Sequence, residues 1–299
     1  MSASLQPDPA ASFEPHRRVL LGLAYRMLGS MTEAEDVVQD AYLRWHAADR
    51  AAVEQPRAFL GRTVTRLCLD ALKSARMRRE DYVGPWLPEP LLDDTALVAD
   101  GVSDYADDLS VALLLTLERL SPLERAAFLM HDVFDLGYDE IATALGRSEE
   151  ACRQLTSRAR AQVRKDRPRF RPSADECARL SKAFAAAIGR GDVDGLKSLL
   201  AENAVLYADG GGKVPSARKP IHGALRIARF MTGVLRKPRM AQRLLPGALT
   251  ASAARVNGMP GLGLRIDGRI VQTYALDARD GRIAAIYITR NPDKLAHLQ

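Results

Sequence analysis

Apolar residues recur at three- and four-residue spacing from the start of the chain. Between Phe13 and Leu28 they fall at Leu20, Leu23, Ala24, Met27 and Leu28, which predicts an amphipathic helix closed by Gly29. A second helix is predicted from Thr32, with Thr32 and Glu35 at capping-box spacing. Its apolar side is Val37, Val38, Ala41, Tyr42 and Trp45, and Glu33, Asp36 and Asp40 line another side. Pro56 opens a third helix that turns Phe59, Leu60, Val64, Leu67, Ala71 and Leu72 inward and ends in Lys73, Arg76, Arg78 and Arg79. Gly84, Pro85, Pro88 and Pro90 then interrupt the pattern, so residues 81–108 read as a linker. Trp86 and Leu87 are unusual in a passive linker and are expected to pack on a neighbouring domain. Helical spacing resumes over 109–169 and stops at Pro168 and Pro172. Beyond Cys177 one helix carries Leu180, Phe184 and Ile188, and another carries Leu196, Leu199 and Leu200. The period then changes to that of strands, in AVLYA (204–208), GLGLRID (261–267), RIVQTYAL (269–276) and RIAAIYIT (282–289). Asp267–Gly268 and Asp280–Gly281 are hairpin signals. The expected architecture is therefore multidomain, all-α first and then α+β with an antiparallel sheet.

With 47% hydrophobic and 27% charged residues in 299, global disorder is excluded. No apolar run approaches the ~18 residues of a spanning helix, and the N-terminus lacks the apolar core of a secretion signal. Three separated cysteines and five scattered histidines offer neither a disulfide framework nor a zinc pattern. The expectation is a soluble protein of the reducing cytoplasm, with no metal, no cofactor and no membrane partner. The net charge of +6 is unevenly spread. Residues 57–80 carry +5, 147–171 carry +6, 172–299 carry +10, and 81–108 carry −8. Two basic segments divided by an acidic one suit two nucleic-acid-facing surfaces joined by a spacer, although solvated helix faces would look the same.

The sharpest local signal is YDEIATALGRSEEACRQLTS, residues 138–157. A helix-turn-helix needs a small residue where its helices cross, and Ala142 supplies it. Its turn needs a residue that accepts positive φ, and Gly146 follows four positions later. Cys152 and Leu155 face the crossing from the second helix, and Ile141 and Leu145 complete the small core. Ser148 caps that helix, with Glu149 and Glu150 at its positive end. It is expected to bury Ala151, Leu155 and Ala159 and to present Arg153, Gln154, Ser157, Arg158 and Arg160. Arginine and glutamine read base edges in the major groove.

The segments LLGLAYRMLGSMTEAEDVVQDAYLRW (20–45) and PRAFLGRTVTRLCLDALKSARMRRE (56–80), followed by this motif, resemble extracytoplasmic-function sigma factors, the small RNA polymerase sigma subunits that keep regions two and four. The resemblance implies region two at 12–80 and region four at 109–169. It implies that Asp36, Gln39 and Asp40 dock on the β′ coiled coil of core polymerase, with the β flap as a further contact. Arg62, Arg66, Lys73, Arg76, Arg78 and Arg79 would melt and hold the −10 element, where cations must serve two backbones around an unstacked base. The family often has Asn at the position of Arg66. Arg147, Ser148, Arg153, Gln154, Ser157 and Arg158 would read the −35 element. No catalytic residue is implied.

The tail, 174–299, resembles a SnoaL-like α+β cone, and WLPEP (86–90), YADGGGK (207–213) and NPDKL (291–295) are similar to the marks of the subgroup that fuses this domain to the sigma core. That implies control in cis, through Trp86, Leu87, Asp209, Asn291, Pro292, Asp293 and Lys294. Such cones hold a pocket, so an unidentified small-molecule ligand is expected as a possible partner. Asp209 with His222 could form an acid–base pair, but Asp209 beside three glycines is more simply a turn residue. Attraction between the +10 domain and the −8 linker offers a means of docking. The alternative to a sigma factor is a stand-alone helix-turn-helix repressor with a ligand-sensing tail.

Overall fold

The computed structural model describes residues 8–80, 82–92, 108–166, 173–236 and 247–299, without the side chains of 74–80, 166, 174 and 234–236. The chain divides into two compact units. One contains Met1–Arg78 and Leu113–Asp166, the other Arg79–Asp94 and Arg167–Gln299.

The first unit is helical. Helix α1 (Pro9–Leu28) starts at Asp8, whose carboxylate accepts from the Ala10 amide, and ends where Gly29 turns left-handed at φ 69°. Helix α2 (Met31–Ala47) is capped by Ser30, which accepts from the Glu33 amide at 3.1 Å. The expected cap at Thr32 is thus displaced by two residues, because Ser30 takes the extended backbone that a cap requires and Thr32 is already helical. Helix α3 (Pro56–Glu80) completes the bundle. Phe13, Leu20, Leu23, Met27, Val38, Trp45, Leu60 and Val64 are buried, and the Trp45 indole donates to Ser12 Oγ at 3.0 Å. Four more helices follow: α4 (Val111–Glu118), α5 (Pro122–Asp132), α6 (Tyr138–Leu145) and α7 (Glu149–Asp166). A reciprocal Ser121–Glu124 cap starts α5, and Gly146, at φ 63°, makes the α6–α7 turn.

The second unit packs α8 (Ala174–Arg190), α9 (Val193–Leu199) and α10 (Ala224–Arg236) with a six-stranded sheet. The strands are β1 (Leu200–Asp209), β2 (Ile221–His222), β3 (Leu249–Val256), β4 (Met259–Ile266), β5 (Arg269–Arg279) and β6 (Arg282–Thr289), in the order β2-β1-β6-β5-β4-β3. This is the α+β arrangement that the sequence implied. The sheet is not wholly antiparallel, because β1 runs parallel to β6. Two strands went unrecognised in the sequence: β2 is two residues long, and β3 (LTASAARV) has mostly small residues and no clean alternation. The β3–β4 turn lies at Asn257–Gly258, outside the expected Asp-Gly signals, and adopts the same left-handed pair of φ angles as the two Asp-Gly turns. Phe184, Leu196, Leu206, Ile227, Leu276 and Ile286 are fully buried in the core between helices and sheet. Along β1 the side chains alternate, so Ala204, Leu206 and Ala208 enter that core while Val205, Tyr207 and Asp209 face the other way. Tyr207 stacks there on Tyr287 of the neighbouring strand, with ring centres 5.6 Å apart. A short helix, α11 (Pro292–Leu295), follows β6.

Candidate functional site

Two sets of residues carry the candidate chemistry, one in each unit. In the first, Arg147, Ser148, Arg153, Gln154, Ser157 and Arg158 are all exposed along the start of α7 and the turn before it. Ser148 Oγ accepts from the Ala151 amide at 3.2 Å, so it serves as a cap. Arg153 pairs with Glu149 at 2.7 Å and lies over the Tyr138 ring. The buried stripe of α7 differs from expectation. It runs Cys152, Thr156, Ala159 and Val163, and Ala151 and Leu155 are only half-buried. That rotation turns Arg160 inward, where it bonds both carboxylate oxygens of Asp132 at 2.9 and 3.0 Å. Arg160 is therefore a structural residue and not part of the presented face.

Asp36, Gln39 and Asp40 are exposed on α2, with Leu43, 55% exposed, on the next turn. Spacings of three, four and seven put all four on one helix face. The basic helix α3 behaves differently along its length. Arg66 donates to two carbonyls of α6, Nε to Ala144 at 3.1 Å and a terminal nitrogen to Thr143 at 2.9 Å. Arg62 lies 3.7 Å from Glu140, and Arg57 donates to the Phe134 carbonyl at 3.2 Å while its guanidinium sits over the Phe134 ring. Gly61 allows this approach, since a Cβ there would come within 2.7 Å of that ring. Lys73 is exposed and pairs with Asp70 at 2.7 Å. The side chains of Arg76, Arg78 and Arg79 lie outside the described residues.

In the second unit the structure brings most of the tail's candidates together. Asp209 is fully buried at the end of β1, and its carboxylate is saturated. Oδ1 accepts from the Tyr82 hydroxyl at 2.5 Å and the Gly211 amide at 3.0 Å. Oδ2 accepts from the Leu87 amide at 2.9 Å and Lys294 Nζ at 2.8 Å. Lys294, 7% exposed, also donates to the Leu87 carbonyl. The two ends of the ion pair thus grip both backbone groups of one residue. The rings of Trp86 and Tyr82 lie 4.3 and 4.8 Å from the ammonium. Asn291 caps α11 and donates to the Tyr82 hydroxyl at 2.9 Å. Burial and the adjacent Asp209 carboxylate push the Tyr82 phenol well above its ordinary pKa. Gly211, at φ 60°, passes so close to Asn291 that a Cβ would come within 2.3 Å of its amide nitrogen. Asp293 pairs with Lys213 at 2.5 Å, and Pro292 is exposed.

Residues 82–92 therefore form a strap pinned along its length. Beyond Leu87, the Pro90 carbonyl lies 2.9 Å from His297 Nε2, and Leu91 exchanges two hydrogen bonds with Asn257. Tyr82, Asn257 and His297 were not foreseen. Nothing in their local spacing marks them, because each is joined to its partner across more than 100 residues. Within the strap the contact is made by Asp209 and Lys294 on backbone groups; six of the eight acids of the linker 81–108, on which the expected attraction to the basic domain rests, lie outside the described residues. Asp209 is also no simple turn residue. Nor does it pair with His222, which is exposed opposite Val205, four residues back along β1. A surface groove of about 570 Å³ lies elsewhere, over Leu180, Ala183, Leu199 and Ala278 with Glu176, Arg179 and Asp280 at its rim. Among the described residues, no helix is long and apolar enough to cross a membrane.

Comparison with known proteins bears on both sets. Residues 13–78 match the family Sigma-70 region 2, and residues 110–163 match Sigma-70, region 4. The chain is 39% identical, over a 300-residue alignment, to the ECF RNA polymerase sigma factor SigJ of Mycobacterium tuberculosis, covering 95% of this chain and 92% of that one. It is 34% identical over 224 residues to the ECF RNA polymerase sigma factor SigG of the same species, covering 66% of this chain and 60% of that one. The crystal structure of Mycobacterium tuberculosis extracytoplasmic function sigma factor SigJ superimposes with a TM-score of 0.71 at 34% identity, over 96% of this chain and 98% of that one. The repressor reading finds no support among these relatives.

Proposed function

The chain belongs to the extracytoplasmic-function RNA polymerase sigma factors, which bind core polymerase and recognise promoter DNA, and from this premise we propose that its second unit controls promoter use in cis through the strap 82–92. The observation that carries the proposal is the buried Asp209–Lys294 pair closed on Leu87. The strap lies in the chain between region two and region four, so gripping it restricts the tether between the two promoter-reading regions. Two buried charges are costly to desolvate, and the pair is retained where it specifies one arrangement of the chain.

Within this reading Arg147, Ser148, Arg153, Gln154, Ser157 and Arg158 read the −35 element. Asp36, Gln39 and Asp40 meet the β′ coiled coil. Arg62, Arg66, Lys73, Arg76, Arg78 and Arg79 hold the opened −10 strand. Arg66 spends two of its five N–H donors on α6 and remains exposed, so its other donors can meet a phosphate backbone while α3 keeps its contact with α6. The protein acts in the cytoplasm, beside polymerase and promoter, and performs no catalysis itself.

The test is run-off transcription with core polymerase on a promoter selected from a DNA pool, comparing the full chain with Asp209→Ala. The variant is expected to change the yield of transcript at equal polymerase affinity. Equal yields, with the strap shown to be released by proteolysis, would defeat control through the strap.

A further inference from the structure

Between Asp209 and Asp267 the chain contains no aspartate or glutamate, yet it holds eleven lysines or arginines. At the overall frequency of acids, 37 in 299, a stretch of this length would carry several, so the omission is systematic. The structure gathers four of these cations at one corner of the second unit. Arg218 and Lys219 are exposed just before β2, the edge strand of the sheet. Arg226 and Arg229 are exposed one helical turn apart on α10, flanked by Leu225 and Phe230. None of the four has an ion-pair partner among the described residues. Three other cations of the unit are paired: Lys213 with Asp293, Lys294 with Asp209, and Arg279 with Asp277.

We propose that this corner is a third DNA-contacting surface, which binds the phosphate backbone of promoter DNA without reading its sequence. Exposed cations without an ion-pair partner, on a stretch of chain that carries no acid, suit a polyanion, since each phosphate neutralised releases condensed counterions. Duplex DNA is the polyanion this family already binds, so the corner needs no new partner. A lipid surface fits less well. The apolar face of α10 (Ile227, Ala228, Met231) is buried in the core, and among its described side chains Leu225 and Phe230 alone are exposed large apolar groups that could enter a bilayer.

The test uses the full chain and two 40-bp duplexes, one carrying a selected promoter and one scrambled, with affinity measured across a salt series. The variant Arg218→Gln/Lys219→Gln/Arg226→Gln/Arg229→Gln should weaken binding to both duplexes by a similar factor, tenfold or more near physiological salt. Its plot of log affinity against log salt should become shallower by about 1 for each phosphate that is no longer neutralised. A control variant removes the same charge from four other exposed positions of the unit, Arg179→Gln/Arg190→Gln/Arg269→Gln/Arg282→Gln. It should keep the wild-type slope. Three results overturn the proposal: an unchanged slope in the first variant, an equal loss in the control, or a loss confined to the promoter duplex. If instead the first variant loses only binding to phosphatidylglycerol vesicles, the corner is a lipid surface and the proposal also fails. The strap reading is independent, because its readout is transcript yield with Asp209 altered.

Discussion

Replacing Lys294 by methionine isolates the central interaction of the second unit. The change keeps most of the side chain's volume and removes its charge. It leaves the Asp209 carboxylate fully buried, with the Tyr82, Leu87 and Gly211 donors but no counter-charge. It also leaves the Leu87 carbonyl without the Nζ donor. Breaking a buried pair from one side costs about 3–5 kcal/mol, and at about 1.4 kcal/mol per decade the lower figure is a shift of roughly 100-fold in the strap's docking equilibrium. Amide hydrogen exchange reads that equilibrium directly, because the Leu87 N–H is bonded to Asp209 itself. Protection of Leu87 should fall by about 100-fold, while that of Leu276 in the sheet core stays as in the wild type. Adding Asp209→Asn should restore part of the loss, since no unpaired charge then remains buried. Unchanged Leu87 protection in Lys294→Met would refute the reasoning, because the pair would then contribute nothing to holding the strap.

Other consequences follow from the same geometry. Arg66→Gln removes charge-assisted bonds to the Ala144 and Thr143 carbonyls, so calorimetry should show the first unit weakened by about 2 kcal/mol, or about 4–8 °C. Gly211→Ala must place a side chain at φ 60° and against Asn291, at a cost of about 1–2 kcal/mol for the backbone alone. It should speed proteolytic cleavage between Tyr82 and Leu92. Tyr82 titrates late, so its own contribution to strap docking should be unchanged by pH below about 10, the ordinary phenol value, and should fall as pH rises above it. The sign follows because the undocked phenol loses its proton first. Ultraviolet titration should show one late tyrosine fewer in Tyr82→Phe.

The elements of this protein are largely a property of its local sequence. The three- and four-residue spacing of Leu20, Leu23 and Met27, the alternation in RIAAIYIT and the Asp-Gly turns each act over a few residues, and helix or strand follows from them wherever the segment finally packs. The motifs WLPEP, YADGGGK and NPDKL were equally visible as words. What they do was not, because Asp209 acquires its role only when parity along β1 turns it away from the helical core to meet residues more than 100 positions earlier. The same holds for Arg66 and Arg160. Both appear in the sequence as cations on basic helices, and only tertiary packing turned one onto the carbonyls of α6 and the other onto Asp132. Periodicity specifies that a side chain lies on a face; the partner that face meets is fixed by the long-range packing of the whole unit.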